Sequence, residues 1–183
     1  MIIAVDCETT GLDIIHGCRP FIVSAFDENN QEYLWEFPVD PFTRKVKYDS
    51  EALFQIQDLI LNNHIIYHNA LFDVRMLSAI GVLNQNYFRQ QSYDDTLIMS
   101  HVLDNLGSHK LKDLGILYLD INDTDEKALK ACVVAARRVA KKLKMRYAKE
   151  GESHMPAAKG SLVGADYWLP AAVARHEGYP DSH

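Results

Sequence analysis

Long apolar runs are missing from this chain of 183 residues. No stretch approaches the roughly 20 consecutive apolar residues that span a bilayer. The N-terminus also lacks a basic segment followed by a long apolar stretch and a cleavage site. These absences predict an unexported, cytoplasmic protein with no membrane partner. Cysteine is scarce: Cys7, Cys18 and Cys132 are odd in number and make no CxxC pair, which excludes a disulfide framework, a zinc ribbon and a paired redox motif. Cys132 reads instead as a core residue of a helix. No HExxH occurs, so a zinc-hydrolase helix is excluded, and His64, His68 and His109 read as structural. Positive charge is in deficit as well, with a net charge of −6, whereas phosphate binding usually leaves a basic footprint.

That average hides an asymmetry. From Lys127 to Lys149 there are Lys and Arg residues but no acid, so the remainder is distinctly acidic. The basic stretch fits a solvated helix face whose charge suits the helix C-terminal dipole. It equally fits a phosphate-contacting surface, with Tyr147 and Trp168 as stacking residues.

Length and a 48% hydrophobic share predict one compact domain over residues 1–183 with a real core. Residues 2–6, 20–26 and 31–37 read as strands, and "DENN" between the last two has the composition of a tight turn, giving an antiparallel meander. "YDSEALFQIQDLILNN" has Leu53, Ile56, Leu59 and Ile60 at helical spacing, with Asp49 or Ser50 as N-cap. A short strand, "HIIYH", follows. "NALFDVRMLSAIG" then carries Leu71, Val74, Leu77 and Ile80 on one helical face, and Gly81 ends it. "DDTLIMSHVL", capped by Asp94 or Asp95, and "SHKLKDLGILYL" are two further helices. Residues 123–150 form one long helix with Leu129, Cys132, Val133, Ala136, Val139, Ala140 and Leu143 on its buried stripe. A loop and a short helix near 169–177 complete the pattern, which predicts an α/β fold: antiparallel strands, then parallel ones, flanked by helices.

The chemistry lies in the acids. Asp6 and Glu8 stand two apart at the end of the first strand, so both side chains leave the same face. Like charges held so close repel unless a cation lies between them. Asp73 follows Asn69 by one helical turn, directly after a predicted strand, so its carboxylate can face the same sheet end. Three such oxygen donors suit magnesium or manganese rather than zinc.

"VDCETTGLD" followed by "YHNALFDVRML" resembles the first two motifs of the DEDD superfamily of 3′–5′ exonucleases. "YDDTLIMSHVLDNLGSHKLKDLG" is similar to the proofreading exonuclease domain of family A DNA polymerases. The likeness spans roughly residues 1–118 and implies an RNase H-like mixed sheet. It also implies two divalent cations, Mg2+ or Mn2+, held by Asp6, Glu8 and Asp73 as catalytic and metal-binding residues, with Asp6 as the bridge. Thr9, Leu12 and Asn69 become substrate-binding residues, Leu12 as an apolar wedge. For Asn69 a helix N-cap reading is compatible. Asp94 and Asp95 read as cap residues. The implied activity is 3′–5′ hydrolysis of single-stranded DNA ends to nucleoside monophosphates, alongside a DNA polymerase domain or subunit, in a bacterium or a virus-infected cell. The alternatives are an RNA 3′-end exoribonuclease and a non-catalytic nucleic-acid or polymerase-partner module that keeps the fold.

A fourth acid is lacking where the superfamily needs one. No Tyr-x-x-x-Asp follows Asp73; His176 and Asp181 match the His-x-x-x-x-Asp spacing, but Gly178 and Pro180 oppose a helix between them. The pattern therefore predicts a domain that stops before its last helix. Three explanations stand: truncation, completion by another segment, or an incomplete site with impaired activity.

Overall fold

In a computed structural model, residues 1–39, 45–84, 86–121 and 124–142 are described. Five strands, β1 (Ile2–Thr9), β2 (Pro20–Asp27), β3 (Glu32–Glu36), β4 (His64–Tyr67) and β5 (Tyr93–Asp95), form one sheet in the order β3-β2-β1-β4-β5. β4 lies parallel to β1, with Ile3 opposite Ile65, and parallel to β5, with Ile66 opposite Asp94. The sheet is mixed, as the alternation of elements predicts. The helices are α1 (Ser50–Leu61), α2 (Ala70–Ala79), α3 (Tyr87–Gln90), α4 (Thr96–Leu103), α5 (Leu111–Leu119) and α6 (Thr124–Lys142).

The chain divides into two compact units. The first contains Met1–Asp6, Val23–Trp35 and Ser50–Asp125. Its core takes Ile3, Val5, Val23 and Ile65 from the strands, Ile56 and Ile60 from α1, and Val74, Met76 and Leu77 from α2. Along β1 burial alternates residue by residue, with Ile3 and Val5 inside and Ile2, Ala4 and Asp6 outside, which is the period of a strand covered on one face. At the β2–β3 turn, the Asp27 carboxylate accepts the Asn29 and Gln31 amides at 2.8 and 3.0 Å. Asn30 there adopts φ 63°, a left-handed state that Asn tolerates. Gly81, at φ 81°, turns the chain out of α2. Its amide bonds to the Ser78 carbonyl and the Val82 amide to the Leu77 carbonyl, closing a Schellman motif over buried Leu77 and Val82.

The second unit contains Cys7–Ile22, Glu36–Asp49 and the chain from Glu126 onward. Its loop after β1 is tied at the base. The Thr10 amide bonds to the Arg19 carbonyl, the Arg19 amide returns to Thr10 Oγ1, and the Arg19 guanidinium donates to the Ile14 and Cys18 carbonyls. Tyr48 donates to the Pro20 carbonyl at 2.7 Å and meets Phe37 edge-on. Burial pushes the Tyr48 phenol well above its ordinary value.

Several local expectations change. Leu71 is half exposed, and Ala70, Asp73 and Met76 join Val74 and Leu77 on the buried side of α2. Asp94 belongs to β5, so α4 starts only at Thr96. On α6, Val133 and Ala136 are buried as expected, but Leu129 and Cys132 are exposed. The expected loop and helix after residue 150 lie outside the described residues.

Candidate active site

β1 ends in acid. Asp6 is exposed on the face that carries Ile2 and Ala4, and Glu8, two residues on, is half-buried. Asp6 and Asp73 fall within the first unit and Glu8 within the second. Asp73 sits in the first turn of α2 and is 2% exposed. A carboxylate stripped of water so thoroughly is costly unless polar groups or a cation compensate it, and the N-terminal end of a helix favours its charge. Among the described residues no group of three or more His, Cys, Asp or Glu gathers at metal-holding spacing. The donor chemistry of Asp6 and Asp73, oxygen only, fits a hard divalent cation.

Two turns of chain place α2. Asn69 stands at its N-cap with φ 76° and makes no side-chain cap, so the expected capping role is not what holds the helix. Asp95 does that work from a neighbouring strand. Its carboxylate accepts the Asn69 and Ala70 amides at 3.0 and 2.8 Å, and also the Leu97 amide at 2.9 Å at the start of α4. One side chain thus anchors the helix that carries Asp73 and the helix that follows β5. Asp94 takes no part and pairs with His64 at 2.9 Å.

The Asn69 side chain, released from capping, lines a cavity of about 510 Å³ with His68, Ser108, His109 and Lys110. A second cavity of about 530 Å³ is lined by Asp6, Phe26, Leu34, Ile66, His68 and Thr96, among others. His68 donates through Nδ1 to Thr96 Oγ1, whose own proton goes to the Tyr67 carbonyl at 3.0 Å. That chain of donors fixes the ring and its tautomer. Sequence reading missed His68 as a site residue, because an apolar strand ending in His carries no signal of what the ring will face.

Of the remaining expected residues, Leu12 is 68% exposed at the tip of the tied loop. Thr9 is buried, and its hydroxyl donates to the Gly11 carbonyl at 2.9 Å inside the turn. His176 and Asp181 lie outside the described residues. On α6, Lys127 and Arg138 are exposed and Lys130 half-buried; the rest of the basic stretch, with Tyr147 and Trp168, has no described side chains.

A family model described as 3′-5′ exonuclease matches residues 2–150, a span holding all three acids. Three solved structures resemble the chain at 17% identity, each over 96% of its length. They are an apo form of a nuclease (TM-score 0.49, 68% of that chain), Brucella melitensis NrnC bound to pGG (0.48, 68%) and Brucella melitensis NrnC (0.49, 69%). No curated protein matches the chain.

Proposed function

Because the chain belongs to the 3′–5′ exonuclease family, we propose that it removes nucleotides one at a time from the 3′ end of single-stranded DNA. The observation that carries this reading is the family match across both acidic motifs, Asp6 to Glu8 and Asn69 to Asp73. Asp6, Glu8 and Asp73 are the residues that would hold divalent cations, Mg2+ or Mn2+. Such ions supply an activated water and neutralise charge on the leaving oxygen.

The chain's own residues supply position. Asp6 is exposed on the open face of β1 and lines the larger cavity, where its carboxylate would be open to a hard divalent cation. The burial of Asp73 on α2 restricts its side chain, which would favour it as a pre-positioned ligand. Leu12 offers an apolar edge to a terminal base, and Asn69 a carboxamide to the strand.

The test is digestion of matched 5′-labelled DNA and RNA oligonucleotides in Mn2+, with Asp6→Ala as control. Stepwise shortening of DNA that Asp6→Ala abolishes is the expected result. Faster shortening of RNA replaces the DNA reading with the exoribonuclease one. Binding of either strand without any shortening leaves only the non-catalytic module.

A further inference from the structure

Two cavities adjoin in the first unit, and both count His68 and Leu111 among their walls. One holds Asp6 and is otherwise mostly apolar, with Phe26, Leu34 and Ile66. The other sets the polar side chains of Asn69, Ser108, His109 and Lys110 beside Leu97 and Leu111. The exonuclease reading uses the Asp6 end and Asn69, and leaves the segment Ser108–Lys110 without a role.

That segment is built rather than incidental. Ser100 is buried, and its hydroxyl donates to the Leu97 carbonyl at 2.8 Å, so its oxygen is left to accept from His109 Nδ1 at 3.0 Å. The His109 ring also lies against His101, with centroids 3.5 Å apart and the planes tilted by 31°. His68 is held in the same way by Thr96. Two imidazoles with fixed rings, His68 and His109, therefore line this second cavity. Ser108 donates to the Asp113 carboxylate, which occupies the nearest acid of α5 with a neighbour on its own segment. Lys110 lies between, exposed, and makes no ion pair among the described residues. An ammonium with no ion pair among the described residues, on the same cavity lining as a carboxamide, is a seat for an anion.

We propose that Lys110 is a positioning residue, which holds a phosphodiester of the substrate strand upstream of the scissile bond while Asn69 hydrogen-bonds the same stretch. The strand then runs from Asp6 past His68 into the cavity that holds Asn69 and Lys110. The inference rests on the exonuclease reading and deepens it by adding a second anchor along the strand. Because Lys is a point charge, it tracks the backbone without reading bases.

The experiment uses the full chain, Mn2+, and a set of DNA oligonucleotides that each carry one uncharged methylphosphonate linkage at a different upstream position. The wild type is expected to lose about two- to fivefold in kcat/KM when one particular linkage is neutralised, the scale of a single exposed charge contact. Lys110→Ala should lose a similar factor on the all-phosphate strand, mostly in KM, and be indifferent to that same linkage. Its log kcat/KM should also fall less steeply with log salt, by a slope of about 0.7 for one phosphate on a single strand. Lys112→Ala, outside the cavity lining, should behave as wild type. A Lys110→Ala protein that stays as sensitive as wild type at every linkage overturns the inference while leaving the exonuclease reading intact. A wild type that shortens none of the strands overturns that reading, and the inference with it.

Discussion

The Asp95 carboxylate accepts the Ala70 amide at 2.8 Å, joining residues 25 apart in the chain. The same group also takes the amides of Asn69 and Leu97. Removal of a single capping side chain costs about 0.5–2 kcal/mol, and this one serves the starts of two helices. Asp95→Ala is therefore expected to lose about 2–3 kcal/mol in urea unfolding. Asp95→Asn, which keeps one acceptor oxygen, should lose about half as much. Since α2 carries Asp73, exonuclease activity should fall in Asp95→Ala under conditions where the protein is still folded.

The proposed role of Asp73 as a cation ligand would link stability to cation binding. A cation that binds only the folded chain stabilises it by about 2.7 kcal/mol at a hundred times its dissociation constant. Addition of Mn2+ should raise the melting temperature of the wild type, and should do so far less in Asp73→Asn. Loss of a positioned catalytic group typically costs about 10²–10⁴-fold in rate, so Asp73→Asn should show that deficit while keeping its circular dichroism spectrum.

Tyr67 and Tyr87 are both buried and share a hydroxyl–hydroxyl hydrogen bond of 3.1 Å. Burial raises the Tyr87 phenol above its ordinary value, while the bond to Tyr67 pulls the other way. The Tyr87 hydroxyl therefore stays protonated at neutral pH. A double-mutant cycle with Tyr67→Phe and Tyr87→Phe should return a coupling of about 0.5–1.5 kcal/mol. Single variants that add without coupling would dismiss the bond as a contributor.

The turn between β2 and β3 should respond to acid. The Gln31 amide foremost, with help from the Asn29 amide and the Tyr33 hydroxyl, holds the Asp27 carboxyl below its ordinary value against the opposing effect of desolvation. As pH falls, the unfolded chain takes up the proton first. The stabilisation is thus complete above about pH 4, the ordinary Asp value, and is lost as pH drops through the lower folded value. Urea midpoints measured from pH 6 to pH 2 should show a steeper acid-side decline in wild type than in Asp27→Asn.

How much of this the sequence discloses depends on how many residues report each element. β1, β2 and β3, α1 and α2 each carry several apolar residues at strand or helix spacing, and the structure places them where that spacing predicts. β5 has only Tyr93, Asp94 and Asp95; three residues, two of them acids, cannot display a period. Its acids therefore read as helix caps, which proved right for Asp95 and not for Asp94. Leu71 and Leu129 obey helical spacing yet lie exposed, because spacing defines a face without fixing what covers it. Of the candidate site, Asp6, Glu8 and Asp73 were visible as residue types in an ordered pair of motifs. His68 and Lys110 were not, since their interest comes from cavities whose walls meet only after folding.

No side chain of α5 is buried, although Leu111, Leu114, Ile116, Leu117 and Leu119 make it one of the most apolar segments. A helix of this length is marginal in water on its own, and local opening in such a segment takes little free energy. Backbone amides of α5 should therefore exchange with deuterium in seconds to minutes, while those of β4, between β1 and β5 in the sheet, wait for global unfolding. The wall at Lys110 and Leu111 belongs to that fast-exchanging part, so an oligonucleotide lying against it should slow deuterium uptake there before it alters exchange anywhere in the sheet.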